Sequence, residues 1–205
     1  MGFYSKHVLP KIIHFTCSIK AGMHQRSKVV PQARGLVLEI GIGSGLNLPF
    51  YDADRVTKVI GLDPSPEMTQ IAAGAAKAVK FDVEFIKLPC EEIPLDIGSF
   101  DTILMTYTLC SIPNIRNALQ QMNRVLKPGG QMIFCEHGAA PDANVRRWQD
   151  RLNPIWSRLG GGCQLNLEIP VLLKKGGFKI IDLQAKYIPG WRPVSFNYWG
   201  TATAL

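Results

Sequence analysis

The chain has 205 residues, of which 46% are hydrophobic and 19% charged. This composition indicates one folded domain with a sizeable core and excludes a disordered chain. Its five cysteines are an odd number, widely spaced and without a CxxC pair, so we expect reduced thiols in a cytosolic protein and neither a disulfide framework nor a zinc site. The net charge of +7 is concentrated in residues 1–38, which contain six basic residues and no acidic one.

The amino-terminal segment combines this positive charge with apolar residues at helical spacing, namely Phe3, Tyr4, Val8, Ile12, Phe15 and Ile19. The pattern predicts a basic amphipathic helix within residues 1–30, followed by one domain over residues 31–205. Such a helix either rests on an anionic membrane surface or covers its own domain as a lid, and both alternatives stay open. The segment lacks the cleavage site of a secretory signal, and no run approaches the roughly 18 apolar residues of a membrane span.

After residue 30, short apolar runs alternate with helical patterns. We predict seven strands, at Leu36–Ile40, Lys58–Leu62, Val83–Ile86, Thr102–Thr106, Gln131–Glu136, Phe178–Ala185 and Phe196–Thr203. Helices are predicted at Pro66–Val79, Ile115–Leu126, Pro141–Leu159 and Leu165–Lys175. Strands separated by long helices indicate an α/β fold with a doubly wound, mostly parallel sheet and helices on both faces. The last two strands are predicted to form a hairpin that places one antiparallel strand in the sheet.

A glycine loop follows the first predicted strand in the stretch LEIGIGSG, with Gly41, Gly43 and Gly45 at alternate positions. In a doubly wound sheet, ligands bind at the carboxyl ends of the strands, where this loop lies. The pattern is GxGxG and not the dinucleotide pattern GxGxxG, because position 46 is Leu. Glu39 would repel a pyrophosphate but suits a ligand that carries an amine. The loop therefore predicts a cofactor with a positively charged part.

Asp63 ends the second predicted strand, 18 residues after Gly45. This spacing is close to the one at which an acidic residue binds ribose hydroxyls. The alternative is a turn residue at the start of the next helix, a position for which Ser65 is also suited. In combination with the glycine loop, we predict that Asp63 binds a ribose.

With these motifs, the chain resembles the class I methyltransferases that use S-adenosyl-L-methionine. LEIGIGSG matches their first motif and GLDPSPEM their second, CEEIPLDIGSFDTILM the segment that leads into the fourth strand, and RVLKPGGQMIFCEH the entry to the fifth. The four motifs occur in order over about residues 30–137. The resemblance implies S-adenosyl-L-methionine as the cofactor and S-adenosyl-L-homocysteine as the product.

The same resemblance assigns residues to parts of the cofactor. The glycine loop would hold the methionyl part near Glu39, Asp63 would bind the ribose, and Met68 would pack beside the adenine. Pro89 stands where many relatives carry an adenine-contacting Asp, so the backbone near Cys90 and Glu91 is expected to meet the adenine edge. The predicted cofactor-binding residues are Glu39, Gly41, Ile42, Gly43, Gly45, Asn47, Asp63, Pro64, Met68, Cys90, Glu91 and Thr106.

A second, narrower resemblance covers most of the chain. TYTLCSI (106–112), CEHGAA (135–140), the helix with Trp148 and Trp156, and GGGCQL (160–165) are similar to the methyltransferase-like family that includes the membrane-associated alkyl thiol methyltransferases. Those relatives carry a hydrophobic N-terminal anchor, which the first segment here matches in part. The resemblance implies a small-molecule or lipid-like acceptor, with thiols ahead of phospholipid amines and quinone-type rings.

Two side chains are candidates for a role in catalysis. His137 follows the fifth predicted strand and is the candidate general base, the alternative being a ring that shapes its own loop. Tyr107 follows the fourth predicted strand and would orient the acceptor or form part of the pocket wall. Glu136 is a poor partner for His137, because adjacent side chains of a strand point to opposite faces.

Other chemistry-bearing residues are assigned structural roles. No sequence pattern indicates a Cys–His pairing for Cys110 or Cys163, so neither is predicted to be a nucleophile. Cys135 and His137 are too few for a metal site without further ligands, and no metal is predicted. Trp148 and Trp156 lie eight residues apart, on one face of their helix, and are predicted to pack in the core, the alternative being that this helix covers the pocket.

Two further functions compete with small-molecule methylation. The basic first segment is compatible with a nucleic-acid methyltransferase. Against it, the fourth predicted strand ends in Met105-Thr106-Tyr107-Thr108 and lacks the Asn/Asp-Pro-Pro-aromatic turn of many enzymes that methylate base amino groups. Aromatic residues also do not interleave with the basic ones as a base-stacking platform requires. A membrane-bound module that binds the cofactor without turnover is the other alternative, and the intact cofactor motifs argue against it.

Overall fold

The computed structural model describes residues 9–205, and its centre is a seven-stranded sheet. The strands are β1 (Gly35–Ile40), β2 (Val56–Leu62), β3 (Asp82–Ile86), β4 (Phe100–Thr106), β5 (Leu126–His137), β6 (Phe178–Tyr187) and β7 (Phe196–Ala204). Their order is β3-β2-β1-β4-β5-β7-β6, and the pairs among β1 to β5 are parallel. Strand β7 is antiparallel to both β5 and β6. The predicted doubly wound sheet with one antiparallel strand is confirmed.

The helices are α1 (Leu9–Cys17), α2 (Lys20–Val29), α3 (Pro66–Ala76), α4 (Ile115–Val125), α5 (Ala143–Leu159), α6 (Ile169–Lys175) and the short α7 (Arg192–Ser195). Local sequence fixes several of their starts. The Ser65 hydroxyl accepts a hydrogen bond from the Met68 amide and Pro66 occupies the first turn of α3, which is a favoured N-terminal arrangement. Asn114 caps α4 in the same way, because its side chain accepts from the Asn117 amide.

The core has two parts because the side chains of each strand alternate between the faces of the sheet. On one face, Leu38 and Ile103 belong to a cluster with α4 and α6. On the other face, Val37 and Leu104 belong to a cluster with the end of α2 and with α3. Burial on both faces explains why the central parallel strands are nearly continuous apolar runs. The carboxyl ends of β1, β2, β4 and β5 consequently meet at one edge of a rigid sheet.

The largest difference from the predicted elements lies at the amino terminus. The chain turns at Ser18 and Ile19, so the described part of the predicted helix consists of two helices, α1 and α2. Phe3, Tyr4 and Val8 of the predicted apolar face lie outside the described residues, as does Lys6. Ile12, Phe15 and Ile19 are exposed, with 73% of Phe15 accessible to solvent.

The other predicted elements differ from the structure at their ends. The predicted helix over residues 165–175 begins only at Ile169, after an extended segment that contains Leu165 and Leu167. The fifth strand begins at Leu126, five residues before its predicted start. Within the described part of the chain, none of the helices combines the length and the apolarity needed to cross a membrane.

Candidate active site

The glycine loop lies at the carboxyl end of β1 and requires glycine for two separate reasons. Gly41, Gly43 and Gly45 have φ angles of 65°, 55° and 79°, in the left-handed region that side chains disfavour. Space is also short at the first of them, since a Cβ on Gly41 would lie 2.4 Å from the Thr108 Cγ2 atom. The loop thereby brings its backbone against the segment that follows β4. The next loop residue, Ile42, packs its side chain on Gly61 of β2.

Asp63 connects the glycine loop to the end of β2. Its Oδ2 atom accepts a hydrogen bond from the Gly43 amide at 2.9 Å, and its Oδ1 atom accepts one from the Ser65 amide at 2.8 Å. Burial raises the pKa of Asp63, and the two amide donors oppose that shift. The carboxylate therefore has a fixed orientation at the edge of the sheet, as recognition of a diol requires. Pro64 beside it is exposed.

Glu39 is the centre of a buried polar network behind the loop. Its two carboxylate oxygens accept hydrogen bonds from Asn47 Nδ2 at 2.9 Å and from the Tyr51 hydroxyl at 2.7 Å. The Asn47 amide also donates to the Thr106 hydroxyl at 2.9 Å. Burial raises the pKa of Glu39 to about 7, although the two donors and the Arg26 guanidinium oppose the shift. Glu39 thus acts on the loop through Asn47.

The side chain of Arg26 extends from α2 into this network. Its Nη1 atom donates to Asn47 Oδ1 at 2.8 Å and to the Thr106 hydroxyl at 2.5 Å. The guanidinium carbon also lies 5.2 Å from the centre of the Tyr107 ring. The Arg26 Nε atom is buried and has no hydrogen-bond partner among the described residues. A buried cation with an unused donor beside a glycine loop has the chemistry to bind an anionic part of a ligand.

Helix α1 also contacts the loop, through His14. The His14 Nδ1 atom and the Ser44 hydroxyl lie 2.7 Å apart. Together with Arg26, this contact places α1 and α2 over the cofactor side of the site. Arg26 is one of the six basic residues of the first segment, and it is buried in the site instead of facing solvent.

The residues assigned to the adenine are Met68, Cys90 and Glu91. Met68 is buried, and its methyl group would lie 3.4 Å from a Cβ added to Gly43. Cys90 is buried, which raises the pKa of its thiol to about 12. The Glu91 carboxylate accepts a hydrogen bond from the Asn114 amide at 3.1 Å, and the Glu91 carbonyl accepts one from the Asn117 side chain. Glu91 thereby anchors its segment to the start of α4.

Tyr107 is the first residue after β4, with the unusual φ angle of 54° for a residue that is not glycine. Its hydroxyl donates to Asn197 Oδ1 of β7 at 2.7 Å. The left-handed backbone turns the chain sharply, so that Thr108 follows at the glycine loop. The Thr108 amide donates to the Glu136 carboxylate at 2.9 Å, which leaves Glu136 bonded away from His137. The expectation that Glu136 does not orient His137 agrees with this geometry.

A cluster of two thiols and an imidazole lies beyond the ends of β4 and β5. Cys163 Sγ is 3.3 Å from Cys110 Sγ and 3.4 Å from His137 Nε2. The Trp156 indole N–H donates to the Cys163 sulfur at 3.4 Å. The prediction that Cys110 and Cys163 lack a Cys–His pairing is wrong, because 26 residues separate Cys163 from His137 in the chain and only the fold brings them together.

The charges within this cluster are coupled. The Cys110 thiol, followed by His137 and Trp156, lowers the pKa of Cys163 to about 4, against the opposing effect of burial. Burial lowers the pKa of His137, but the neighbouring Cys163 sulfur outweighs it and the net shift is upward. The His137 Nδ1 atom is buried and has no hydrogen-bond partner among the described residues. The two pKa shifts share one cause, because a negative charge on the Cys163 sulfur and a positive charge on the His137 ring stabilise each other.

Gln149 of α5 holds the loops that carry this cluster. Its Nε2 atom donates to the carbonyls of Gly138, Leu165 and Pro193 at 2.9 to 3.0 Å, and its Oε1 atom accepts from the Ala140 amide. The Gln164 amide donates to the Cys110 carbonyl at 2.9 Å, which fixes the segment after Cys163 against the segment after β4. Gln149 is the buried residue of α5, whereas Trp148 is 56% exposed. The predicted core role of Trp148 is wrong.

Comparisons with known proteins identify the family of the chain. Residues 38–134 match the family model described as a methyltransferase domain. The chain is 33% identical over 192 residues to the human thiol S-methyltransferase TMT1B, covering 90% of this chain and 78% of the relative. It is 38% identical over 100 residues to a demethylmenaquinone methyltransferase of Tropheryma whipplei, which covers 49% of this chain and 41% of the relative.

Among solved structures, an S-adenosylmethionine-dependent methyltransferase from Methanosarcina mazei has the same fold, with a TM-score of 0.66 at 22% identity over 83% of this chain and 92% of that one. The motifs, the fold and the similarity over 90% of the chain agree on the cofactor, which is S-adenosyl-L-methionine, with S-adenosyl-L-homocysteine as the product. The chain therefore belongs to the class I S-adenosylmethionine-dependent methyltransferases, within the family of the thiol S-methyltransferases.

Proposed function

We propose that the methyl acceptor is a small-molecule thiol. The observation that carries this proposal is the 33% identity to a thiol S-methyltransferase over 90% of the chain, which includes the acceptor side of the site. The demethylmenaquinone methyltransferase matches only about half of this chain, so it supports the cofactor side and says less about the acceptor.

The residues around the glycine loop fit the cofactor. The positive-φ loop leaves its backbone free of side chains, and Asp63 offers a fixed carboxylate to the ribose hydroxyls. The unused Arg26 Nε donor suits the carboxylate of the methionyl part. Met68 and Cys90, which are both buried, supply apolar walls for the adenine. Bound S-adenosyl-L-methionine supplies a methyl group on a positively charged sulfur.

Methyl transfer is an in-line displacement, so the protein contributes chiefly by positioning the two reactants. A thiol has an ordinary pKa near 8.5 and reacts as the thiolate, which requires loss of one proton. In this proposal His137 is the group on the acceptor side through which that proton is lost, and Tyr107 positions the turn that brings Thr108 to the glycine loop. The Tyr107 hydroxyl is already bonded to Asn197, so its role is in the wall of the site.

The two N-terminal helices are proposed to act as a lid over the cofactor. His14 and Arg26 contact the loop side of the site, and the exposed Ile12, Phe15 and Ile19 of the same segment provide an apolar surface for peripheral contact with a membrane. Flotation with anionic phospholipid vesicles tests the second part. Phe15→Ser should reduce flotation and leave cofactor affinity unchanged, whereas a wild-type chain that never floats contradicts membrane contact.

The acceptor is tested by a methyl-transfer screen with labelled cofactor over alkyl thiols, phospholipid amines and quinols. Thiols should be methylated with the highest kcat/KM. The matched variant is His137→Ala, which should lower turnover at least tenfold while the dissociation constant of the cofactor changes by less than twofold. Preferential methylation of an amine or a quinol would contradict the thiol proposal and leave the methyltransferase assignment intact.

A further inference from the structure

The cluster of Cys110, Cys163 and His137 has the composition and geometry of a metal site. One Sγ–Sγ distance is 3.3 Å, one Sγ–Nε2 distance is 3.4 Å, and the three atoms all lie within 4.8 Å of one another. No ligand is needed to hold them there, because the Gln149 hydrogen bonds and the Gln164 amide fix the loops that carry them.

The two separations that involve Cys163 are close to those of a zinc site. Zinc binds cysteine sulfur at about 2.3 Å and histidine nitrogen at about 2.0 Å in a tetrahedral arrangement. Tetrahedral geometry then places two ligand atoms about 3.5 to 3.8 Å apart. The Cys163–Cys110 and Cys163–His137 pairs, at 3.3 and 3.4 Å, need to move by only a few tenths of an ångström to reach it. Two cysteines and one histidine are also the donor set of zinc sites that keep a fourth position open for a substrate.

We propose that Cys110, Cys163 and His137 bind one Zn²⁺ ion, and that its open fourth position takes the sulfur of the acceptor thiol. Binding of the acceptor sulfur at the open position rests on the proposed thiol acceptor, whereas the metal site itself does not. His137 then contributes as a ligand through Nε2, which leaves Nδ1 as the nitrogen that carries the proton. This is how His137 promotes loss of the thiol proton without accepting it.

The position of the cluster suits such a step. Cys110 follows two residues after Thr108, and Thr108 lies against the glycine loop at Gly41. Cys110 is buried, whereas Cys163 and His137 are partly exposed, so the open position faces the accessible side of the cluster. The acceptor sulfur would therefore enter from solvent at the edge of the sheet that also carries the cofactor loop.

The reaction balances without an added oxidant or reductant. A thiol that binds the metal releases its proton to solvent and remains as a thiolate. A sulfur lone pair forms the new bond to the methyl carbon, while the bond from that carbon to the sulfonium breaks and its electron pair stays on the departing sulfur. The products are a neutral thioether and S-adenosyl-L-homocysteine. The thioether is a weaker metal ligand than the thiolate and dissociates.

Cys17 at the end of α1 provides the main alternative to an open site. Burial raises the pKa of Cys17, the Arg26 guanidinium opposes that shift, and the nearby Cys163 sulfur adds to it. If Cys17 were a fourth ligand, the site would be closed and structural. Cys17→Ser separates the two arrangements, because an open site keeps its metal affinity in this variant.

The first experiment measures metal binding on the full chain without cofactor. Chelator-treated, reduced protein is titrated with Zn²⁺ by calorimetry and with Co²⁺ by visible spectroscopy. We expect one ion per chain and thiolate-to-Co²⁺ charge-transfer bands. Cys110→Ser, Cys163→Ser and His137→Ala should each weaken Zn²⁺ binding at least about 100-fold, since each removes one of three ligands. Cys135→Ala is the matched control and should bind Zn²⁺ like the wild type.

A second measurement does not depend on how the variants fold. In the wild type, Zn²⁺ should protect Cys110 and Cys163 from alkylation, and mass spectrometry of peptides shows which thiols are protected. Addition of an alkyl thiol to the Co²⁺ protein should change the charge-transfer bands in the absence of any cofactor. That change reports coordination of the thiol independently of methyl transfer.

Several outcomes would overturn the inference. These are absence of Zn²⁺ binding by the wild type, equal binding in the three ligand variants, or a Cys110–Cys163 disulfide in protein isolated with reductant. Loss of metal in Cys17→Ser would overturn the open site. Full-rate thiol methylation by metal-free protein would refute the metal step and leave the proposed function standing. Zn²⁺ binding with methylation only of amines would refute the thiol acceptor and keep the metal site.

Discussion

The cofactor side and the acceptor side of the site are built in different ways. On the cofactor side, the loop residues and Asp63 follow two neighbouring strands and are linked by short hydrogen bonds from backbone amides. On the acceptor side, Cys110 and Cys163 are 53 residues apart, and His137 comes from a third segment. The cofactor side is a local motif whose position is set by the parallel sheet alone. The acceptor side also depends on how the C-terminal helices pack against that sheet.

Because of this difference, substitutions can disrupt one side of the site without disrupting the other. The cofactor side depends on backbone conformation at glycines and on one carboxylate. The acceptor side depends on one buried amide, Gln149, that ties three loops together. Variants on the cofactor side should therefore change cofactor affinity, and variants on the acceptor side should change stability, metal binding or turnover.

Gln149→Leu is expected to have the largest effect. Leucine removes the buried amide, whose two N–H groups are shared among the carbonyls of Gly138, Leu165 and Pro193 and whose oxygen accepts from the Ala140 amide. At about 1 kcal/mol for each of the two N–H donors and the acceptor oxygen, and with a further cost for the carbonyls left unpaired, the free energy of unfolding should fall by more than about 3 kcal/mol. Urea unfolding measures the loss. Gln120→Leu, on the exposed face of α4, should change stability by less than about 0.5 kcal/mol. An equal effect of the two substitutions would contradict the role of Gln149.

Glu39→Gln tests the buried network by its pH dependence. Because the folded-state pKa of Glu39 is raised from 4.5 to about 7, the folded protein binds the proton more tightly than the unfolded chain. The wild type should lose stability through this group as pH rises from about 4.5 to 7, by up to about 3 kcal/mol. The variant lacks this group, so the difference between the two unfolding free energies should change over that window. Parallel pH profiles would show that Glu39 titrates normally.

Asp63→Ala should weaken S-adenosyl-L-methionine binding at least about 100-fold, or about 2.8 kcal/mol, because two charge-assisted hydrogen bonds to the ribose are lost. Calorimetry with the cofactor measures the change. Asp54→Ala is the matched control, since this exposed aspartate lies before β2 and away from the loop. Zn²⁺ affinity should be the same in Asp63→Ala as in the wild type. An unchanged cofactor affinity would refute the ribose assignment.

The cofactor side was predictable from sequence to a greater extent than the acceptor side. Leu36–Ile40 and Lys58–Leu62 are apolar runs whose ends the structure extends by only one or two residues. The glycines and Ser65 favour their backbone conformations independently of tertiary packing. The sequence pattern therefore predicts the geometry of the loop and of the helix start. Arg26 was missed because a basic residue on an amphipathic helix is usually solvated, and its partner Thr106 lies 80 residues further along the chain.

The acceptor side was not predictable because no local signal pairs its residues. Cys163 follows three glycines in a loop, and nothing nearby indicates that it meets His137. Trp148 and Trp156 share a helix but differ in environment, since Gln149 faces inward and turns Trp148 to solvent. In both cases the decisive information is the position of α5 against the sheet, which depends on tertiary packing.

The smallest expected effect concerns the lid and tests whether the N-terminal helices belong to the cofactor side. His14→Ala removes the contact with the Ser44 hydroxyl at 2.7 Å, worth about 1 kcal/mol, and should accelerate dissociation of the cofactor about fivefold. Stopped-flow displacement measures that rate. The matched control is His24→Ala, because His24 is exposed on α2 and its side chain has no contact with the loop among the described hydrogen bonds. Equal rates in both variants would mean that α1 rests on the loop without retaining the cofactor, and the lid function would then fall to Arg26 alone.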